Sequence, residues 1–353
     1  MSEGPDKKFG THPQGSPEGS GCDTTTSTPE PETSEVDDDD ETEPCGPPPG
    51  LLPDLKVLGA APYSGEYWHL PNAVWHGVHG EATGRGVVIA NLDTGYNPNH
   101  PFSPKPIAAR SFVRGERDAV DLNGHGSHTV GTCCGRSPTI SPAPEADLIV
   151  GKVLGARGQG DSSGIAAAIR WAVDEGANII SMSLGGPTPY GPTQEAIHYA
   201  NSKGALVVAA AGNEGFTGRR NTIGYPAKYE SALCIGAYRK DGKIASFSSG
   251  GREIDIAAPG QDIVSCDYKS TGLVRMSGTS MATPFAAGLF ALVFELIQRE
   301  GAAWPTGPGW WREFLEVHSE DRGAPGRDAQ FGYGVPRTTD IVQKLAHHEI
   351  KWV

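Results

Sequence analysis

The chain is organised around the stretch Gly278-Thr279-Ser280-Met281-Ala282-Thr283-Pro284, which is followed by an apolar run over residues 285–297. This pattern predicts a buried helix with Ser280 in its first turn. The first turn of a helix has unpaired backbone N–H groups and the positive end of the helix dipole. A serine placed there is suited to nucleophilic attack, because the same N–H groups can hold the oxyanion that forms. A serine that simply caps a helix gives the same local pattern, so other segments must decide.

Length and charge limit the possible classes of protein. The 353 residues suffice for one large domain and a tail, and 48 glycines and 29 prolines fit many tight loops. The net charge is −13, of which residues 1–50 carry −11. These residues are rich in Pro, Ser and Thr and poor in apolar side chains, which predicts a disordered acidic tail. The remainder is nearly neutral, so we expect no nucleic-acid partner.

Targeting signals and cysteines indicate where the protein acts. Residues 1–6 lack the basic and apolar regions of a secretory signal, and no run of about 18 apolar residues occurs. We therefore expect a cytoplasmic protein without a membrane partner, with non-classical secretion as the alternative. The six cysteines include no CxxC pair. The adjacent Cys133 and Cys134 are interpreted as buried free thiols, with a redox pair as the alternative.

An alternation of strands and helices predicts the fold class. Residues 86–95 form a largely apolar strand that ends in Asp93 and a glycine turn, as in a strand covered on both faces. A strand is predicted over 146–154, a helix over 162–176 and a strand over 177–183. The order predicts an α/β fold with a mostly parallel sheet and helices on both faces. Function in such sheets collects at the carboxyl ends of the strands, where Asp93 lies.

Two histidines stand in the glycine-rich stretch Asp121-Leu122-Asn123-Gly124-His125-Gly126-Ser127-His128. The flanking glycines allow backbone to approach His125 closely. A spacing of three could place both imidazoles on one metal ion, but no third ligand motif is nearby. We therefore interpret His128 as a buried structural imidazole and expect no zinc site.

Three motifs now stand in one order: Asp93-Thr94-Gly95, His125-Gly126-Ser127-His128 and Gly278-Thr279-Ser280-Met281-Ala282. Together they resemble the subtilisin-like serine proteases, the subtilases or peptidase S8 family. The resemblance implies a three-layer subtilisin-like domain over residues 76–347 and a serine endopeptidase acting on extended polypeptides. It implies that Ser280 attacks the peptide carbonyl, His125 transfers the proton and Asp93 holds the imidazole.

The resemblance also implies an oxyanion site and a substrate cleft. Asn213 follows an apolar strand at the family position whose amide binds the oxyanion, and the Ser280 N–H is the second donor. Gly224 and small neighbours leave room for large apolar or aromatic P1 side chains, although Glu214 at the mouth could admit Lys or Arg. The implied substrate-binding residues are Gly158, Gln159, Gly160, Ser183, Leu184, Gly185, Gly186, Ala211, Gly212 and Gly224.

The sequence departs from many relatives in three places. Residues 135–142 are short and lack Asp, Asn and Glu, so the usual calcium loop is not expected. We expect no required cofactor, and calcium elsewhere stays an alternative. Phe285 stands where many relatives have a second histidine. The tail cannot form a folded pro-domain, so residues 51–75 are interpreted as a surface arm or a short prosegment that blocks the cleft.

Two rival functions remain at this stage. The first is a catalytically silent relative that only binds peptides, and the intact set Asp93, His125, Asn213 and Ser280 argues against it. The second is an esterase whose nucleophile is Ser162, because Gly160-Asp161-Ser162-Ser163-Gly164 fits the G-x-S-x-G pattern. A glycine loop rather than a strand precedes Ser162, so we interpret it as part of a helix start. The oligomeric state is open, with a monomer expected.

Overall fold

A computed structural model of the protein describes residues 56–58, 68–70 and 72–349. The predicted acidic tail lies outside these residues. The described strands are β1 (Lys56–Leu58), β2 (Val88–Asp93), β3 (Ala108–Ser111), β4 (Asp147–Lys152), β5 (Ile179–Met182), β6 (Leu206–Ala210), β7 (Leu233–Tyr238), β8 (Ile254–Pro259), β9 (Ile263–Cys266), β10 (Leu273–Met276), β11 (Ser319–Glu320) and β12 (Val335–Pro336). The described helices are α1 (Asn72–Glu81), α2 (His125–Cys134), α3 (Ser162–Asp174), α4 (Gly191–Ser202), α5 (Thr279–Arg299), α6 (Gly307–His318) and α7 (Thr338–Ala346).

The centre of the domain is a seven-stranded sheet in the order β3-β4-β2-β5-β6-β7-β8. All of its strand pairs are parallel. Parallel sheets are covered on both faces because their crossover helices lie there. The predicted α/β class with a mostly parallel sheet is confirmed.

The two faces of the sheet carry separate apolar clusters. Ile89 of β2 packs in one cluster with Val130 of α2 and Phe290 of α5. The next residue, Ala90, points to the other face and packs with Ile165 of α3 and Ile197 of α4. This alternation follows from the two-residue period of a strand. Helices therefore cover both faces, as the sequence predicted.

Helix α5 is the central core helix. It is 21 residues long and apolar enough to span a membrane, but 94% of that apolar window is buried inside the protein. Pro284 is the sixth residue of the helix, and its missing N–H leaves the Ser280 carbonyl without a helical donor. The Ser183 hydroxyl donates to that carbonyl instead, at 2.7 Å. Farther along, the carboxylate of Glu295 accepts hydrogen bonds from the N–H groups of Gly84 at 2.7 Å and Arg85 at 3.1 Å. The helix thereby also fixes the segment that leads into β2.

The described part of the predicted arm is attached to a small second sheet. β1 pairs antiparallel with β10, and β10 pairs antiparallel with β9. Leu70 is only 1% exposed and belongs to the main core. Burial of this apolar side chain just before α1 removes it from water and is favourable. The extent of the arm stays a prediction. Helix α1 runs across the predicted boundary between residues 75 and 76.

The described cysteines are reduced and buried. Cys133 and Cys134 end α2 with their sulfur atoms 3.3 Å apart, and Cys234 and Cys266 are also buried. Burial raises the pKa of the Cys133 thiol well above its ordinary value, and its contact with Cys134 adds to this. The interpretation of the adjacent pair as buried free thiols is confirmed.

Candidate active site

The predicted site residues meet at one edge of the large sheet. Asp93 is the last residue of β2, Ser183 follows β5, and Asn213 lies just beyond β6. These three strands are neighbours in the sheet. Helix α2 begins at His125, and α5 begins one residue before Ser280. Residues far apart in sequence therefore converge where the parallel strands end.

Asp93 and His125 form a buried pair. The His125 Nδ1 atom lies 2.8 Å from Asp93 Oδ1 and 3.0 Å from Oδ2. Asp93 is fully buried and His125 is 7% exposed. An ionised carboxylate only accepts hydrogen bonds, so Nδ1 carries the proton. In neutral His125 the other ring nitrogen, Nε2, is therefore a free base.

Opposing effects act on the pKa of His125. Burial is the largest and lowers it, because a charged imidazole loses hydration. The charge and hydrogen bond of Asp93, together with the charge of Asp121, favour the imidazolium more strongly. The net result is a pKa above the ordinary value of 6.5. The pair therefore stabilises a proton gained by His125.

Asp121 organises the loop that precedes His125. Its carboxylate accepts hydrogen bonds from Thr94 Oγ1 at 2.9 Å, from the Gly124 N–H at 2.9 Å and from Ser127 Oγ at 2.7 Å. Thr94 Oγ1 in turn accepts the Gly126 N–H at 2.8 Å. These bonds tie the start of α2 to the end of β2. Sequence reasoning did not assign Asp121 a role, although an acid two residues before Asn-Gly is a signal of a turn that bonds its own backbone.

Two nitrogen atoms that can donate hydrogen bonds, Asn213 Nδ2 and the Ser280 backbone nitrogen, lie close to Gly278. A methyl group built on Gly278 would lie 3.5 Å from Asn213 Nδ2 and 3.6 Å from the Ser280 backbone nitrogen. The Asn213 amide is fixed from its other end, because Oδ1 accepts the Thr279 N–H at 2.9 Å and Thr279 Oγ1 at 3.0 Å. A backbone N–H can only donate, so the amide oxygen faces Thr279 and the NH₂ group is the free donor end of the side chain. Thr279 was not predicted as a site residue.

Ser280 is half-buried and is held against Ser183. The Ser183 hydroxyl donates to the Ser280 carbonyl at 2.7 Å, and the Ser280 hydroxyl approaches the Ser183 carbonyl at 3.5 Å. The second contact is long for a hydroxyl donor. The Ser280 hydroxyl is therefore weakly bonded where it stands, while its backbone is firmly placed.

The predicted cleft residues fall into two groups. The Gly224 N–H donates to the Ala211 carbonyl at 3.1 Å, and the Tyr225 N–H donates to the Gly186 carbonyl at 2.8 Å. These bonds join the segment 183–186, the end of β6 and Gly224 on the Ser280 side. On the His125 side, the loop 155–160 is closed by the Gly155 N–H bonding to Gln159 and is tied by Asn123 Nδ2 to Ala156.

Three other residues were expected to be structural or were overlooked. His128 donates from Nε2 to the Ile263 carbonyl at 3.0 Å, and burial lowers its pKa to about 3. Ser162 is the first residue of α3. Lys152 is fully buried at the end of β4, where it donates to the Val120 carbonyl at 2.7 Å and pairs with Glu116. A lysine in an apolar strand was the signal for this overlooked pair. Within residues 56–58, 68–70 and 72–349, no group of three or more His, Cys, Asp or Glu side chains could hold a metal ion.

Comparisons with known proteins identify the family of the chain. The sequence model of the Subtilase family, Peptidase_S8, matches residues 84–334. Subtilisin DY of Bacillus licheniformis is 42% identical over 213 residues, which cover 60% of this chain and 77% of that protein. Subtilisin Savinase of Lederbergia lenta is 42% identical over 214 residues, with coverages of 60% and 77%. An intracellular serine protease of Paenibacillus polymyxa is 39% identical over 233 residues, with coverages of 64% and 70%. The chain thus belongs to the subtilase family and is a serine endopeptidase acting on polypeptides.

Proposed function

We propose that this endopeptidase cleaves peptide bonds through an acyl-enzyme on Ser280. In the proposed cycle, His125 Nε2 takes the hydroxyl proton as Ser280 Oγ attacks the carbonyl carbon. The same nitrogen then delivers the proton to the leaving amine, and water repeats the sequence on the ester. Asp93 keeps the Nδ1 proton in place and stabilises the imidazolium. The observation that supports these roles is the buried Asp93–His125 pair beside the N-terminal turn of α5.

Asn213 and the Ser280 N–H are the proposed oxyanion donors. Support comes from the closeness of both nitrogen atoms to Gly278 and from the fixed orientation of the Asn213 amide. Preorganised donors of this kind stabilise charge that develops in the transition state without reorganisation. Asn213→Ala should lower kcat by about 10²–10³, a magnitude taken from subtilisin itself rather than from this structure. The KM should change little, since the bond forms mainly in the transition state.

We also propose a preference for large apolar or aromatic P1 side chains. Gly224 supports this, because it has no side chain at the family position of the P1 pocket, and a methyl group there would lie 3.1 Å from the Gly186 carbonyl. Glu214 is exposed, and its carboxylate already accepts the Ser249 hydroxyl at 2.5 Å. A basic P1 side chain that pairs with Glu214 stays the alternative. Peptides that differ only at P1 test this, and a preference for Asp or for Lys over Phe would contradict it.

The remaining expectations are also proposals. The chemical step uses side-chain and backbone groups of the chain, so we propose that it needs no cofactor. Calcium as a stabilising ion is tested by the thermal midpoint with and without a chelator. We propose a cytoplasmic monomer, and the relative named as an intracellular protease supports the location. Sedimentation of the Ser280→Ala protein tests the monomer.

Labelling with a fluorophosphonate, which reacts covalently with activated serines, tests the nucleophile. Wild type should be labelled once, and Ser280→Ala should not be labelled. Ser162→Ala is the matched control, because Ser162 also starts a helix but stands in the rival motif, and it should label like wild type. A burst of product with a peptide ester should reveal the acyl-enzyme. Labelling that persists in Ser280→Ala and disappears in Ser162→Ala would reject the proposal.

A further inference from the structure

Trp68 precedes the residues that the family model matches, yet it contacts the segment around Ser280. Its indole N–H donates to the Gln261 carbonyl at 3.1 Å, and its ring meets Tyr238 edge-on with centroids 5.7 Å apart. The ring also packs on a small apolar cluster that is separate from the two main ones. The members of this cluster are Ile263, Val274, Met276 and Met281.

The proposed nucleophile loop consists of residues 277–280, and the cluster contains the residues on either side of it in the chain. Met276 ends β10 and enters the loop, whereas Met281 directly follows Ser280 and is fully buried. Close-packed side chains transmit displacement to the neighbours that they contact. A shift of the Trp68 ring therefore acts on both ends of the segment that carries Ser280.

The segment that accepts the Trp68 N–H also holds this loop directly. The Gly278 N–H donates to the Gly260 carbonyl at 2.8 Å. The Asp262 N–H donates to Ser277 Oγ at 2.8 Å. Gln261 lies between these two bonds, so the Trp68 contact anchors the centre of the short segment that positions the proposed oxyanion site.

A second attachment comes from the same N-terminal arm. β1 pairs with β10 in register, with Lys56 opposite Arg275 and Leu58 opposite Leu273. Without β1, β10 would be the edge strand of a two-stranded hairpin, which is only marginally stable alone. The arm thus adds a third strand to the hairpin that leads into Ser277 and Gly278.

We infer that Trp68 is a positioning residue for catalysis: it acts through Met281 and the segment 260–262 to hold the Ser280 loop in its reactive geometry. This inference rests on the proposed role of Ser280. A blocking prosegment lowers the activity of the enzyme, whereas a positioning arm raises it, so the two interpretations predict opposite effects on activity. If residues 1–70 contain a blocking segment, deleting them raises activity. If they contain a positioning arm, deleting them lowers activity.

The test compares Trp68→Ala and Trp68→Phe with Trp304→Ala. The ring of Trp304 packs against that of Phe294, a residue of α5, with centroids 5.0 Å apart. Phe294 lies about 20 Å along the helix from Ser280, at 1.5 Å per residue. Trp304→Ala is therefore a matched loss of an aromatic contact on α5 away from the site. The readouts are kcat, KM, the rate of fluorophosphonate labelling and the thermal midpoint.

Small misplacements of a catalytic group lower kcat strongly. Trp68→Ala should lower kcat and the labelling rate on the order of tenfold, with KM within about twofold of wild type. Trp68→Phe keeps the ring and loses the N–H, so kcat should fall only about threefold. Trp304→Ala should lower the thermal midpoint and leave kcat unchanged.

The outcomes separate the two proposals. If wild type is not labelled at Ser280, the proposed function fails. If wild type is labelled but Trp68→Ala behaves like Trp304→Ala, only the positioning role of Trp68 is overturned. If Trp68→Ala does not fold, the kcat of Trp68→Phe is compared with that of Trp304→Phe. Equal kcat values in these two variants overturn the inference. Higher activity after deletion of residues 1–70 would also overturn it.

Discussion

Replacing His128 by Gln should make the folded state less sensitive to acid. His128 is fully buried, and burial lowers its pKa to about 3, whereas histidine in the unfolded chain titrates near 6.5. Between these values the unfolded chain binds a proton that the folded chain does not. The contribution of neutral His128 to the free energy of unfolding is therefore fully present above pH 6.5. It falls as the pH falls, by about 1.4 kcal/mol per pH unit. From pH 6.5 to 4.5 the loss due to His128 is about 2 kcal/mol.

His125, one helical turn before His128, changes the stability in a different pH range. The pKa of His125 is raised in the folded state, so its contribution is present below pH 6.5 and is lost as the pH rises through the folded pKa. It therefore does not mask the acid-side effect of His128. Glutamine at position 128 can still donate an amide N–H to the Ile263 carbonyl, which His128 Nε2 bonds at 3.0 Å. The substitution thus removes the titration and keeps the hydrogen bond.

Urea unfolding at pH 6.5 and 4.5, monitored by tryptophan fluorescence, measures this difference. Both proteins carry Ser280→Ala, which prevents self-digestion during the experiment. Wild-type stability should fall between the two pH values by about 2 kcal/mol more than that of His128→Gln. His198→Gln on the exposed side of α4 is the control and should follow wild type. Equal pH dependence of wild type and His128→Gln would refute the reasoning.

Two further substitutions test the site and the core. Asp93→Asn should lower kcat by about 10⁴ and shift the rising limb of the kcat/KM profile to lower pH, because the Asp93 charge raises the pKa of His125; an unshifted limb would contradict this. Glu295→Gln should destabilise the fold by about 3 kcal/mol in thermal and urea unfolding, since a buried carboxylate that accepts backbone N–H groups is replaced by a partly donating amide. Glu300→Gln, at the solvent-facing end of the same helix, should change stability by less than about 0.5 kcal/mol, and equal losses in both variants would argue against the role of Glu295.

The elements with strong local signals were predictable from the sequence. The strand that ends at Asp93 and the helix that starts near Ser280 each have an apolar run and a terminal signal within a few residues. The helix predicted over 162–176 forms over Ser162–Asp174, and the strand predicted over 177–183 forms over Ile179–Met182. Local periodicity and turn residues determine such elements, so their type is readable even where their ends shift by a few residues.

The parts that sequence reasoning missed depend on contacts between distant residues. Trp68 bonds to Gln261, 193 residues away, and nothing near either residue indicates the other. Thr279 looked like a small residue at a helix start, but it orients the Asn213 amide across 66 residues. The pairing of β1 with β10 is of the same kind. Local patterns carry no information on such partners, because tertiary packing selects them.

Helix α5 carries the proposed nucleophile at one end and fills the centre of the core along its length, which sets the order in which activity can arise. Synthesis proceeds from the N-terminus, so the ends of β2 and β5 emerge long before Ser280, which lies 97 residues after Ser183. Until α5 emerges, the chain has neither the proposed nucleophile nor the helix that closes the core on one face of the sheet. Both arrive in the same segment, so we expect proteolysis to begin only in molecules whose core can already close.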